Sequence, residues 1–575
     1  MTLLDSPKPP AHSSRARERG VVAAADGLWQ AARRWESRIS DGFILALLVV
    51  VALVERVPRL GIRYWGDEAI SVGIAGRPLH EIPHYLGFDG SPPLWYVLLH
   101  WWMAAFGHSE VATHSFSLLV SLVAIPVAWW CADVLFSRRA ARAAALLAAV
   151  SPYLTYYGTE TRMYALLGVL SMVAVTATIR YYREPASATK WRGGGWRGDP
   201  SLRWLALAVV ASDAVLYTHN WGLFLIGVLF LSGLLGVRRR GDRTRLRRVV
   251  GYGAAVGLGY LPWVPSFVSQ LRNTGAPWAA RPHLIDLIVD PFNVSFSAAW
   301  WVVVAALITA FVVKQATYKG PRWTWSTAAI SPLSFGAFIV VGTVFCGWIA
   351  SQFVHAWAPR YVGVAAVPAL VVLGAFFTEH RIGRRFLLVV AVSLAATTLP
   401  VLTDPGAFAD SKSNVAAVDQ AVRPHMAPGD LVVTALAELP IIAYYLPAGL
   451  RYATPLGVVS DPRVIDWKHL PTRLQAAVPT RTLAAVLASV PVGGHVLVIN
   501  PVTFAGTQAA TQYAQTVSAE EVALNQDIIV DPDFQSVLFV RPHDVGAIAN
   551  PVEGILYVRT GLPPAARAIS SSVAP

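Results

Sequence analysis

Apolar residues arrive in blocks of about 20 over residues 42–403, separated by short polar stretches. A helix of that length crosses a hydrocarbon core of ~30 Å. The pattern predicts about eleven spans, near 42–59, 112–136, 141–157, 163–182, 202–218, 221–237, 249–268, 294–313, 328–350, 361–378 and 385–403. Two long pieces fall outside this rhythm, a loop over 60–111 and a tail over 404–575. Inside the loop, Pro92-Pro93-Leu94-Trp95-Tyr96 opens an apolar, aromatic run through Phe106. It is short for a span and rich in Trp, which predicts a helix lying at the membrane interface. In the tail the period changes. Residues 431–434, 495–499, 527–530 and 536–540 read as strands, and 438–445 and 482–489 as helices. That alternation predicts a small α/β domain with a partly parallel sheet. The expected fold is thus an α-helical polytopic membrane protein with a C-terminal extracytoplasmic α/β domain. Residues 1–41 form a polar tail in which 28–39 has the pattern of an amphipathic surface helix.

Composition agrees. The chain of 575 residues is 55% hydrophobic and 14% charged, with mean hydropathy +0.48, against about 25% charged in soluble domains. The net charge is +13, and its basic residues cluster in short connections. One group lies at Arg138, Arg139 and Arg142, a second at Lys190, Arg192 and Arg197, and a third runs from Arg238 to Arg248. Two more are Lys314, Lys319 and Arg322, then Arg381, Arg384 and Arg385. Together with Arg15, Arg17, Arg19, Arg33 and Arg34 before the first span, they follow the positive-inside rule. The N-terminus is therefore expected in the cytoplasm, and an odd number of spans puts the tail outside a plasma (inner) membrane. Topology accounts for the charge, and no basic patch interleaved with aromatics points to nucleic acid. Cys131 and Cys346 lie in apolar segments and offer no disulfide framework. No signal peptide is evident. No repeat relates two halves of the membrane region, which argues against a repeat-built transporter.

Candidate chemistry gathers at the outer ends of the spans. Asp67 and Glu68 in Tyr64-Trp65-Gly66-Asp67-Glu68-Ala69 follow the first span. They are either a solvated pair or a general base or metal ligand tuned by partial desolvation. Asp89, before Gly90-Ser91-Pro92-Pro93, is a turn residue or a site residue. Glu160 and Arg162 lie between the third and fourth spans, where charge is costly unless paired or used. They form a structural ion pair, or Arg162 binds phosphate. Arg360 and Tyr361 begin the tenth span, and His219 lies in the turn between the fifth and sixth. Asp213 is an acidic residue inside a predicted span. Two patterns mislead. His80-Glu81-Ile82-Pro83-His84 spells the zinc-protease H-E-x-x-H, but Pro83 breaks the helix that motif needs. Gly251, Gly253 and Gly257 mimic a nucleotide loop inside a span, where close helix packing explains them better.

Taken together, W-G-D-E-A-I-S after the first span resembles the first-loop motif of GT-C class polytopic glycosyltransferases. The nearest likeness is to the bacterial protein-mannosyltransferase and aminoarabinose-transferase group. S-P-P-L-W-Y-V-L-L-H is similar to its Pro-Pro-Leu-Tyr-Tyr segment, and Y-Y-G-T-E-T-R-M-Y-A-L-L to its Y-Y-S-Q-E-A-R-M-Y-A-L-L segment. Y-T-H-N, L-P-W-V-P and P-R-Y stand at fitting places, and the resemblance covers roughly residues 40–380. It implies that Asp67 is the catalytic carboxylate with Glu68 beside it, and that Glu160, Arg162 and Tyr164 belong to the second motif. The chain departs from the commoner pattern at Gly158, Thr159 and Thr161, and Gly90-Ser91 stands where the aminoarabinose enzymes have Glu-Lys.

Topology limits the donor independently. The acidic loop is expected outside, away from nucleotide sugars, and the cytoplasmic connections are too short for a nucleotide-binding domain. The donor expected is therefore a polyprenyl-phosphate sugar reaching the site through the bilayer, with a glycan, lipid or protein as acceptor. Arg162, Arg360 and His219, with Glu160, Tyr164 and Tyr361 beside them, are the residues expected to meet donor and phosphate. No cofactor is required, and a divalent metal is compatible with the acidic pair. A transporter or lipid flippase, or a glycan-binding scaffold, is the rival from another class.

Overall fold

The computed structural model describes residues 40–184, 200–238, 243–317, 332–378, 381–404, 406–502, 515–517, 528–543, 546 and 548–561. The expected surface helix at 28–39 lies outside them, as do Lys190, Arg192, Arg197, Lys319 and Arg322. Six segments among the described residues are long and apolar enough to cross a membrane. They are Glu110–Leu135, Tyr164–Arg183, Ser201–Thr218, Asp286–Val312, Pro332–Ser351 and Pro359–Thr378. These helices place the chain in a membrane. The expected count of eleven spans is not confirmed. The other five predicted stretches are shorter or interrupted helices: α1 (Asp41–Arg56), α6 (Arg138–Ala149) with α7 (Pro152–Tyr157), α10 (Gly222–Arg238), α11 (Arg243–Tyr260) and α17 (Arg381–Ala396) with α18 (Leu399–Thr403). Proline explains the interruptions. Pro152, Pro262 and Pro400 each fall where one helix gives way to the next, because proline has no N–H to bond back to the preceding turn.

Small residues set the packing of the bundle. α6 buries Ala140, Ala141, Ala143, Ala144, Ala145, Ala148 and Ala149. It lies between α5 (Glu110–Leu135) and α16 (Gly363–Thr378). A Cβ on Gly374 of α16 would sit 2.7 Å from the Ala144 backbone nitrogen, so only glycine allows that approach. Of the three glycines in α11 that mimic a nucleotide loop, Gly253 packs against the Phe230 ring, whereas Gly251 and Gly257 face open space. Close packing therefore accounts for one of the three.

The tail carries a six-stranded sheet of order β3-β2-β1-β4-β6-β5. Its strands are β1 (Leu431–Thr434), β2 (Arg451–Thr454), β3 (Gly457–Val459), β4 (His495–Pro501), β5 (Phe534–Val540) and β6 (Val552–Arg559). β1 pairs in parallel with β2 and β4, and the remaining pairings are antiparallel. Central β1 is buried along its whole length, as a strand covered on both faces must be. The strand expected at 527–530 is not one. Ile528 to Val530 form a helical turn, and Asp527 lies outside the described residues. One sheet face packs on α19 (Val415–Val422) and α20 (Leu439–Tyr445), together with Tyr64, Ala69 and Val72 of the first loop. The first loop is thus part of the core of the sheet domain. A helix, α4 (Leu94–Phe106), forms where the aromatic run predicts one.

Arg56, the last residue of α1, is fully buried. It donates to the Ala148 and Ala149 carbonyls (2.9 and 2.8 Å), to the Ser121 carbonyl and hydroxyl (3.0 and 3.1 Å) and to Thr155 Oγ1 (3.4 Å). The two alanines end α6 and their carbonyls have no helical partner. Arg56→Met leaves these acceptors buried and unpaired, and is expected to lower stability by about 3 kcal/mol or more, read as a fall in Tm of the detergent-solubilised chain.

Candidate active site

α2 (Gly66–Ala75) begins after an extended Trp65 and carries Asp67 and Glu68 in its first turn. Unpaired N–H groups at a helix start favour carboxylates there. Adjacent helical residues point about 100° apart, so the two side chains face different surroundings. Asp67 lines a cavity of about 670 Å³, whereas Glu68 is 0% exposed.

Glu68 is held on every side. Oε1 faces His114 Nε2 (2.7 Å) and accepts the Thr161 N–H (2.7 Å). Oε2 accepts from Lys412 Nζ (2.9 Å) and from the Trp65 N–H (3.4 Å). His114 Nδ1 lies 2.9 Å from the Leu60 carbonyl, so both ring nitrogens meet oxygens. Burial alone would push the Glu68 carboxyl up, but Lys412 and His114 hold it down at about 2. Glu160 is the contrasting case. Its Oε1 accepts from Trp65 Nε1 (2.7 Å), while its Oε2 is buried without a partner. Burial raises its carboxyl to about 7, against the pull of Lys412.

Asp67 meets two guanidiniums. Arg360 Nη2 lies 3.3 Å and Arg162 Nη2 3.7 Å from its Oδ2. Arg162 Nη1 also donates to the Asp67 carbonyl (3.2 Å) and to Ser71 Oγ (3.1 Å), which ties its position to α2. The Arg360 guanidinium lies over the rings of Trp278 (4.6 Å) and Trp65 (5.4 Å). His219 Nδ1 accepts the Trp221 N–H (3.1 Å), so the ring proton sits on Nε2. Burial first, then Arg162 and Arg360, push the imidazole down to about 3 and keep it neutral. Tyr361 lies against the His219 ring with centroids 4.6 Å apart.

The cavity therefore brings together Asp67, Arg162, His219, Arg360 and Tyr361 from separate elements. Glu68, Glu160 and Tyr164 stand behind its wall rather than on it. Tyr164 is fully buried, with its ring 6.1 Å from that of His219. Asp89 does line the cavity; burial pushes its carboxyl up, and it accepts from the Tyr96 hydroxyl (3.1 Å). Among the described residues no three His, Cys, Asp or Glu side chains gather into a metal-binding group. His80 and Glu81 precede the helix Ile82–Asp89, with Pro83 in its first turn, so the H-E-x-x-H spelling places no two histidines on one helical face.

Sequence reasoning missed His114, Lys412 and Trp467. Lys412 is buried, and its presence beyond the last apolar helix, on the side expected to be poor in lysine, is the signal that marks it. His114 stands as an ionisable group at the start of an apolar run. Trp467 comes from the tail to the cavity wall; its backbone N–H donates to the Phe88 carbonyl (3.2 Å).

No protein-family model matches the chain, and no curated protein matches it. Solved structures do. ArnT from Cupriavidus metallidurans in the apo state has TM-score 0.57 at 12% identity, covering 92% of this chain and 98% of that one. The same protein bound to undecaprenyl phosphate has TM-score 0.56 at 12% identity, covering 90% and 98%. The archaeal oligosaccharyltransferase AglB from Archaeoglobus fulgidus, in complex with an inhibitory peptide and a dolichol-phosphate, has TM-score 0.49 at 12% identity, covering 87% and 73%. The chain has the fold of ArnT, that of the GT-C glycosyltransferases, over nearly its whole length.

Two substitutions test the buried acids. Lys412→Met leaves an ionised Glu68 short of a cation, which costs about 3–5 kcal/mol; the expected result is a lower Tm and faster proteolytic release of the tail. The folded pKa of Glu160 lies above its ordinary 4.5, so its contribution to stability is full below 4.5 and is lost as pH rises through about 7. Glu160→Gln should flatten the fall of Tm across that window.

Proposed function

We propose that this chain transfers a sugar from a polyprenyl-phosphate donor to a cell-envelope acceptor, at an extracytoplasmic site, with Asp67 as general base. The observation that carries the reading is the Asp67 carboxylate on a cavity wall between two guanidiniums, at 3.3 and 3.7 Å. The acceptor hydroxyl attacks the anomeric carbon as the bond from that carbon to the phosphate oxygen breaks. Asp67 takes the hydroxyl proton, and the polyprenyl phosphate leaves with the bonding pair. Arg162 and Arg360 offset the charge growing on the phosphate, and neutral His219 donates a hydrogen bond from Nε2. One displacement inverts the anomeric carbon. Glu68 and Glu160 act through other groups in this reading. Glu68 fixes the turn that carries Asp67, and Glu160 holds Trp65 under Arg360.

A donor delivered through the bilayer fits the apolar part of the cavity wall, where Leu223, Phe224, Phe353 and Val354 come from membrane helices and their ends. It also fits the undecaprenyl phosphate bound to ArnT. In this reading the chain sits in the plasma (inner) membrane, with its N-terminus cytoplasmic and its sheet domain outside. Mannose is the sugar we assign, on the likeness of Y-Y-G-T-E-T-R-M-Y to the mannosyltransferase segment, and the acceptor we assign is a lipoglycan.

Purified chain incubated with radiolabelled polyprenyl-phosphate mannose or arabinofuranose and a membrane extract tests this directly. Label should pass from one donor to a product of inverted configuration; transfer from neither rules the enzyme out and leaves the transporter and the scaffold. Asp67→Asn should reduce turnover by about 10²–10⁴-fold while insertion and Tm persist. Arg360→Gln should weaken donor binding by about tenfold or more, measured as donor Kd.

A further inference from the structure

A second groove, of about 310 Å³, shares no lining residue with the catalytic cavity. Its walls come from the ends of four apolar segments. Arg59 lies in the short turn after α1, Thr155 and Tyr156 on α7, Asn293 near the end of the helix Asp286–Phe296, and Thr397 and Thr398 between α17 and α18. No carboxylate lines it. Lys412 of the tail lies 6.0 Å from the Tyr156 ring centroid, so the groove is on the face of the membrane domain that carries the sheet.

Arg59 is the unexplained group. Its Nε is buried without a partner, and its guanidinium makes no hydrogen bond or ion pair among the described residues. The Glu55 carboxylate attracts that charge from beyond contact distance. Glu55, one turn earlier, receives the Thr155 hydroxyl (3.5 Å) rather than Arg59. Neighbouring Arg56 is fully engaged in the interior. Thr397 and Thr398 give their hydroxyl protons to the Leu394 and Ala395 carbonyls, both at 2.7 Å. The side chains of Tyr156 and Asn293 make no hydrogen bond among the described residues, and both are exposed donors on the groove. Arg59, Tyr156 and Asn293 therefore offer donors to a ligand that supplies oxygen acceptors and negative charge, which is the chemistry of phosphate. Two apolar side chains close to the lining in sequence are exposed, Val57 at 46% and Leu399 at 53%. Exposed apolar groups of this kind suit acyl chains.

We propose that this groove binds the phosphate head group of an anionic phospholipid, with Arg59 as its principal ligand. The site stands whether or not the transfer reaction is as proposed above. The test is native mass spectrometry of the full-length chain, stripped of lipid in detergent and titrated with dioleoylphosphatidylglycerol, with dioleoylglycerol lacking the phosphate, or with inorganic phosphate. Wild type and Arg360→Gln should retain phosphatidylglycerol alike, and dioleoylglycerol should not be retained. Arg59→Gln should bind phosphatidylglycerol about tenfold more weakly. Thr397→Phe fills the groove without touching the charge and should show the same loss, which guards against misfolding of the arginine variant. Equal retention of phosphatidylglycerol by wild type and both variants would overturn the site. Arg59-dependent binding of inorganic phosphate with no retention of lipid would overturn the lipid as its occupant.

Discussion

A buried carboxylate needs its charge met within the protein, and Glu68 meets this need by drawing three distant parts of the chain to one point. The Thr161 N–H comes from the connection before the helix Tyr164–Arg183, His114 from α5, and Lys412 from the tail. Each partner is fixed in turn. His114 is anchored to Leu60, and Lys412 also reaches toward the Thr159 carbonyl at 3.5 Å. Because Glu68 and Asp67 are consecutive, whatever holds the first in place sets the direction of the second. The wall of the cavity is positioned from behind by a knot that does not touch the cavity.

The two carboxylates of one dipeptide therefore divide the work. Asp67 is left on the wall among counter-charges that a ligand can reorganise. Glu68 is saturated, and its burial removes it from exchange with solvent. Glu160 lies between these extremes, with one oxygen bonded to Trp65 and the other unpaired. Trp65 joins the two acids, since its backbone N–H serves Glu68 and its indole serves Glu160. The Arg360 guanidinium rests on that same indole. A disturbance at either acid thus reaches the arginine that faces Asp67.

The apolar blocks were legible because membrane helices must satisfy their backbone internally, which leaves a long hydrophobic signature. The count of eleven spans is not confirmed, and Pro152, Pro262 and Pro400 each divide a predicted stretch into shorter helices. In the tail, β1 and β4 show as apolar runs, whereas β2, β3 and β6 carry Arg451, Gly457 and Glu553 within short or mixed strands and escape notice. Asp67, Arg162, His219, Arg360 and Tyr361 could be picked out because each stands at the end of an apolar run. Their meeting in one cavity is a product of packing and is written in no local pattern. Lys412 was hidden by distance. Nothing in its own surroundings, Ser411-Lys412-Ser413, names a partner in the first loop.

That distance has a consequence in time. Glu68 and Lys412 are 344 residues apart, so a ribosome adding about 5–20 residues per second leaves roughly 20–70 s between them. Throughout that interval the acidic turn of the first loop lacks the cation that pairs with Glu68. The helix Gly66–Ala75 also waits for the sheet whose core it shares. The Glu68 knot can therefore be complete only once the tail has reached the loop. A chain cut short before Lys412 has the acid and the arginines in its sequence but lacks the lysine that pairs with Glu68. Assembly order thus acts as a quality check, because the cavity wall is completed only on a chain that has been made through to its sheet.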